Sequence, residues 1–374
     1  MKHKWSWLAL FLGTFLGLTL LVMGMVAYID PYFHYGRPKT DQFYYTLEMD
    51  DARKLAEGIV CNLEYDNLIV GTSMAEKFLP SQAEALFGGT FAKATVPSAL
   101  YREQTELLEE ALSRNPNIST VIRSMDMYNF YEDRERLEEN RAGYPAYIHT
   151  DNPLDDLYYL LGRDVIFDKC IPMLAQSLAG KEPGITDFDD YTWGMGTWVC
   201  GRETVLQGRE SYAWAQEQPE MPDWERREVT QNIQNQIIDL ARRYPDTQFY
   251  CFFPPYSAAW WAERGEDADF IRHIQRERLV IELLLPYENI HLFSWNQMVE
   301  ITGDLNNYFD SIHYGNWVNS WILEQMAAGE GRLTKENYES YLTQVRQAYE
   351  NFDYAALFTQ QDLEGNRIPA YFRK

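Results

Sequence analysis

The sequence predicts an α/β fold: a doubly wound, mostly parallel sheet flanked by helices, preceded by an N-terminal transmembrane helix and interrupted by a cap-like insertion. Three observations predict it. Short apolar runs of buried-strand type alternate with segments of helical spacing from Asp66 to Phe293, the rhythm of parallel strands joined by crossover helices. The first of these runs, Asp66-Asn67-Leu68-Ile69-Val70, stops at Gly71-Thr72-Ser73, and a helical pattern, Ala75 to Leu86, follows at once. An uncharged run from Trp5 to Ile29 stands ahead of all this.

That N-terminal run exceeds the ~20 residues a bilayer span needs and the ~7–15-residue core of a cleaved signal peptide. With no persuasive small-x-small cleavage site after it, residues 1–30 read as a signal anchor. Lys2 and Lys4 favour a cytoplasmic N-terminus, with residues 31–374 outside a single-pass membrane protein. Gly13 and Gly17 form a G-x-x-x-G, with Gly24 further along the same face, a stripe on which another membrane helix can dock. Glycine is common in membrane helices without such a partner. Asp30-Pro31-Tyr32-Phe33-His34-Tyr35-Gly36 is an exit segment with aromatics suited to the interface.

Asp51 to Glu64 reads as a helix leading into the first strand. Thr90 to Thr95 is a short strand ending in Val96-Pro97-Ser98-Ala99; Leu100 to Arg114 has helical spacing in Leu107, Leu108, Ala111 and Leu112; Ser119 to Met125 is the next strand. From Glu132 to Pro222 the periodicity is lost among Gly, Pro, Tyr, Trp and acidic residues, so 132–222 reads as an elaborated cap. Trp193, Trp198 and Trp214 lie in it and can either stack on sugar rings or form the cap's own small core, the second being favoured for at least two of them. Regularity returns at Asp223, with Val229, Ile233, Ile237, Leu240 and Tyr244 at helical spacing, then the strand Gln248 to Phe253, broken by Pro254. A helix from Asp267 to Leu285, a last strand at Ile290 to Phe293 and an outer helix from Thr334 to Phe352 complete the chain.

The formal net charge is −23, which argues against nucleic acid and against attraction to polyanions. The four cysteines, Cys61, Cys170, Cys200 and Cys251, show no C-x-x-C; Cys251 reads as a core residue, and Cys170 with Cys200 is the pair to expect if a disulfide forms. The six histidines form no H-E-x-x-H or related cluster, so neither a metal nor another cofactor is indicated.

Ser73 follows the first strand, where sites form in open α/β sheets, although a Thr72 or Ser73 taken alone reads better as a helix cap. Near the other end, Asn307-Tyr308-Phe309-Asp310-Ser311-Ile312-His313-Tyr314-Gly315 places an Asp three residues before a His. At that spacing a carboxylate and an imidazole can lie side by side, the Asp fixing the ring while the ring takes a proton from a hydroxyl. The order of Ser73, Asp310 and His313 resembles the SGNH/GDSL hydrolase family, over roughly Asp66 to His313. In layout it looks most like the membrane-anchored members that serve D-alanine transfer to teichoic acid and related envelope polysaccharide O-acylation.

That resemblance implies a three-layer α/β/α domain, Ser73 as nucleophile, His313 as general base and Asp310 as its orienter. It also implies a multi-span membrane-bound O-acyltransferase as partner and a cell-surface polymer as substrate. The family's oxyanion donors are the serine N–H, a Gly and the Asn of a G-x-N-D motif. Here Ser98 stands where the Gly is expected, and Ser124-Met125-Asp126-Met127-Tyr128-Asn129 lacks G-x-N-D, leaving Asn129 as a candidate donor or an ordinary loop residue. Asp126 can bind substrate hydroxyls or cap the next turn. Two functions therefore stay open: an active serine acyltransferase or esterase, and a catalytically weak scaffold that binds polymer or the acyltransferase.

Overall fold

A computed structural model describes residues 2–39, 41–45, 51–131, 150, 152–181, 189, 198–364 and 367–373. The chain divides into two compact units, residues 1–64 with 143–191 and residues 65–142 with 192–374. In chain order the main helices are α1 (Lys2–Ile29), α2 (Ala52–Asn62), α3 (Pro80–Phe87), α4 (Tyr101–Arg114), α5 (Asp156–Leu160), α6 (Ile171–Leu178), α7 (Asp223–Ile233), α8 (Asp239–Arg243), α9 (Ala258–Glu266), α10 (Phe270–Leu284), α11 (Asn316–Ala328) and α12 (Tyr338–Glu350).

The larger unit is built on five parallel strands, β1 (Asn67–Gly71), β2 (Phe91–Thr95), β3 (Thr120–Ser124), β4 (Gln248–Phe253) and β5 (Ile290–Ser294), in the order β2-β1-β3-β4-β5. β1 and β2 are buried along their whole length, which is why β1 reads as an apolar run rather than an alternating one. From β1 the chain steps one way to β2, then crosses back to β3 on the other side. Right-handed crossovers therefore put α3 on the opposite face from α4, giving a doubly wound sheet whose switch point lies between β1 and β3.

Two buried cations tie strands to their flanks. Arg123 of β3 is 1 % exposed and donates to Gln104 Oε1 (3.2 Å), Tyr101 O (3.1 Å), Thr105 Oγ1 (3.2 Å) and Gln236 O (3.1 Å). Burial pushes its guanidinium down to about 10, and the four acceptors compensate the lost hydration. Lys93 of β2 donates through Nζ to Glu76 O (2.8 Å) and Phe78 O (3.1 Å), holding the turn that follows Ser73.

The helix expected over Ala75 to Leu86 begins later than its pattern suggests. Residues 73–77 form turns, with the Ala75 N–H on Thr72 O (3.0 Å), and α3 starts only at Pro80, behind an extended Leu79 (φ −94°, ψ 114°). Proline supplies no N–H and biases its predecessor away from helical geometry, so one continuous helix cannot run through this point. The expected Asp267 to Leu285 helix is likewise shorter, as α10. Ahead of it comes α9, which the sequence reading missed: Ser257 accepts the Trp260 N–H at 3.3 Å and caps it, and Ala268, at φ +56°, separates α9 from α10. Between α7 and α8 the backbone makes a π-helical turn, Gln234–Ile238.

In the smaller unit α5 and the π-helical segment Asp164–Cys170 pack against α1. Asp30, at the exit of α1, is 2 % exposed; its carboxylate accepts the Tyr159 hydroxyl and the N–H groups of His34 and Tyr35, each at 2.8 Å. Gly58 of α2 lies so close to Tyr32 that a Cβ there would sit 1.9 Å from its carbonyl oxygen. Lys169 pairs with Asp51, which also accepts the Tyr32 hydroxyl at 2.6 Å.

Within 132–222, residues 152–181 group with α1 and α2, while 198–222 belong to the sheet-bearing unit. Trp193 lies outside the described residues. Trp214 packs on Phe270 (4.8 Å between centroids) and over Gly265. Cys170 and Cys200, the pair to expect if a disulfide forms, are not joined by one; both are buried, in different units. α1 contains one stretch, Ser6–Ile29, long and apolar enough to cross a membrane.

Candidate active site

Ser73 leaves the end of β1 in a turn fixed by sterics and by hydrogen bonds. Gly71 allows it: a Cβ there would lie 2.3 Å from the Ser124 Oγ of β3. Beneath the turn sits Asp126, fully buried, whose Oδ1 accepts the Thr72 hydroxyl (2.9 Å) and the Tyr256 hydroxyl (3.2 Å), while Oδ2 accepts the Ser124 hydroxyl (2.9 Å). The Ser124 oxygen in turn accepts the Thr72 N–H at 3.2 Å. Asp126 thus acts as a brace between the exits of β1, β3 and β4. It is not open to substrate hydroxyls.

The Asp310 to His313 segment is a tight loop. Tyr308 bridges Tyr314, the Phe309 N–H donates to His313 O and the Gly315 N–H to Asn307 O, both at 2.8 Å. Its fastening to the serine turn comes from the Tyr314 hydroxyl (3.2 Å) and Asn319 Nδ2 (2.9 Å), both on Met74 O. Ser257 holds it from the β4 side, its hydroxyl on Ser311 O at 2.7 Å.

The result is an unbroken relay. Ser73 Oγ lies 2.8 Å from His313 Nε2, and His313 Nδ1 lies 2.7 Å from Asp310 Oδ2. Asp310 Oδ1 accepts the N–H groups of Ile312 (2.9 Å) and His313 (2.8 Å), so both carboxylate oxygens are committed. Because a carboxylate only accepts, Nδ1 carries the ring proton and the Nε2 lone pair faces the serine hydroxyl. Burial acts to raise the Asp310 pKa, but the His313 ring and the two N–H donors outweigh it and hold the carboxyl below its ordinary range. The His and Asp side chains are 15 % and 29 % exposed, open enough for a substrate to reach the ring.

Of the oxyanion candidates, Ser98 is exposed and has φ +59°, the left-handed backbone a glycine would adopt. Pro97 before it and the Ala99 N–H on Val96 O (3.1 Å) make this the pattern of a type II turn. The serine therefore keeps the glycine conformation. Asn129 is 1 % exposed and its Nδ2 donates to Ala99 O at 2.8 Å, tying the β3 exit to that turn. The Ser73 N–H has no acceptor among the described residues. It is the donor this site offers most directly to a developing oxyanion.

The chain matches no family model and no curated protein. One solved structure, described as "a putative platelet activating factor from Streptococcus pneumonia", overlaps it with a TM-score of 0.37 at 12 % identity, over 79 % of this chain and 92 % of that one. A likeness so loose carries no argument. Function has to be read from the residues.

Several of those residues were not visible as site residues in the sequence. Trp198 stacks on Phe309 (4.3 Å between centroids, 19°) and meets the His313 ring edge-to-face, 5.6 Å between centroids, while Lys77 Nζ lies 3.6 Å from the centre of the Trp198 ring. Lys77 also reaches Tyr314 O at 3.4 Å; burial pushes its ammonium down to about 8, with Cys200, Glu76 and Asp310 opposing. The wall beside the His313 ring is thus aromatic, backed by a cation. Nothing in the spacing of Lys77, Trp198 and Phe309 signals that they meet.

Proposed function

We propose that the protein is a membrane-anchored serine esterase or O-acyltransferase of the cell envelope, working outside the membrane on a polysaccharide or teichoic-acid-like polymer. The observation that carries this reading is the Ser73–His313–Asp310 relay, assembled from residues 240 apart in sequence. Ser73 Oγ attacks the acyl carbonyl as its proton passes to His313 Nε2. The oxyanion forms against the Ser73 N–H and the Ser98 turn, whose strand exits adjoin through the Val96 N–H on Gly71 O at 2.9 Å. His313 then returns the proton to the departing alcohol, leaving an acyl-serine. Water, or a polymer hydroxyl deprotonated by His313, releases the acyl group. Asp310 stabilises the imidazolium at each stage.

The apolar stretch Ser6–Ile29 supports a single span, and Lys2 and Lys4 on its short side favour a cytoplasmic N-terminus. A multi-span O-acyltransferase, meeting this span along Gly13, Gly17 and Gly24, is the partner the reading implies. The deciding experiment is labelling of the full-length protein by a fluorophosphonate, followed by turnover of a panel of aryl esters. Labelling that disappears in Ser73→Ala supports the enzyme. A protein that takes up no label and turns over no ester, yet still co-purifies with an acyltransferase, would be the scaffold instead.

A further inference from the structure

The helices beside the exit of α1 carry apolar side chains on both their inner and outer faces. Tyr159, Val165, Cys170 and Met173 point inward and are buried. On the outer side, from the turn before α5 through the helix to the turn after it, Leu154, Leu157 and Leu161 recur at spacings of three and four and stand 69 %, 41 % and 42 % exposed. Along the π-helical segment and α6, Phe167, Ile171 and Leu178 stand 59 %, 42 % and 80 % exposed. A helix at a water surface turns such a stripe inward, and one that is apolar all round normally meets protein core or lipid. Exposed apolar residues scattered singly need no explanation, but two adjoining stripes do.

We propose that residues 152–178 lie in the outer leaflet as a second, monotopic membrane contact beside the span, with Leu154, Leu157, Leu161, Phe167, Ile171 and Leu178 among the acyl chains. This rests on the reading of α1 as a membrane span. The occupant is lipid because α5 and the π-helical segment pack directly against α1, and they do so where α1 ends: its residues are exposed through Leu18, and burial begins only near Val26 and Ile29. A span of ~20 residues from Ser6 brings that end to the membrane interface. The segment holds Asp155, Asp156, Asp164 and Asp168 against Arg163 and Lys169, and Lys169 is buried on Asp51. Attraction to anionic headgroups therefore does not drive the contact, and apolar insertion does.

The test uses the full chain with Cys61→Ser, which removes the one native cysteine that is not buried, spin-labelled at Leu157→Cys, Phe167→Cys or Leu178→Cys in turn and reconstituted into phosphatidylcholine vesicles. Label at Leu12 reports on the span and label at Leu86 on water. The proposal expects collision with oxygen to exceed collision with a water-soluble nickel chelate by several-fold at 157, 167 and 178, as at Leu12, with the opposite order at Leu86. Lipid contact at Leu12 with nickel-accessible labels at the other three sites would overturn the inference and leave the span standing. A nickel-accessible Leu12 would overturn the span and the inference with it. Shielding of the three sites from both reagents would mean that protein covers the stripes, which also refutes the proposal.

Discussion

Ser73, His313 and Asp310 make unequal demands on the fold. A half-buried hydroxyl on a turn contributes at most about 1–2 kcal/mol even as a cap, so Ser73→Ala should abolish fluorophosphonate labelling and ester turnover while shifting the melting temperature little. His313→Ala should lose activity to a similar degree, about 10³-fold or more, because members of a relay act as a unit. Asp310→Asn misorients the ring without removing the base, so a smaller loss is expected. Asp310 also sets an acid limit. Its folded-state pKa is depressed, so its contribution to stability is complete above the unfolded value near 3.9 and is lost as pH falls through the folded value. A melting-temperature titration should show this acid loss diminished in Asp310→Asn. At Ser98, where φ is +59°, glycine should be accepted with activity kept, whereas the β-branched Ser98→Val should cost about 1–3 kcal/mol in a denaturant titration.

Between elements, the clearest test is the contact of α10 with α12. Glu277, fully buried, accepts the Tyr341 hydroxyl, and that oxygen also lies 2.6 Å from Ser294 Oγ at the end of β5. Burial pushes the Glu277 carboxyl up to about 7. The folded protein therefore binds a proton that the unfolded chain releases near 4.5, and stability falls as pH rises through that window, by up to about 3 kcal/mol. Glu277→Gln should flatten this part of the pH profile of the melting temperature. The elements themselves were mostly legible in sequence. The strands showed as short, mainly apolar runs because most of their side chains on both faces are buried, and α4 and α10 showed by period. The helix after Ser73 was misplaced because α3 shares its apolar spacing with the turns before it, and only Pro80 marks the break. In the site, Ser73, Asp310 and His313 were readable because one short loop and one strand exit hold them. The brace around Asp126 and the wall of Lys77, Trp198 and Phe309 were not, since each joins residues far apart in sequence through tertiary contacts alone.

For the molecule as a whole, protease added to spheroplasts should degrade residues 31–374 if the single span runs outward from a cytoplasmic Lys2 and Lys4; full protection would reverse the orientation. Replacing residues 5–29 with an unrelated span should weaken capture of a multi-span acyltransferase if Gly13, Gly17 and Gly24 form its seat, and unchanged capture would make the segment a tether. The 240-residue separation between Ser73 and His313 also bears on when activity can arise. A serine without its base is an ordinary alcohol, and His313 is synthesised only after all five strands have been made. A nascent or truncated chain ending before it carries a nucleophile that attacks nothing, however well its earlier elements have folded. On the proposed reading, competence can arise only once His313 has been made, and a fluorophosphonate label on Ser73 counts only chains that have reached that point.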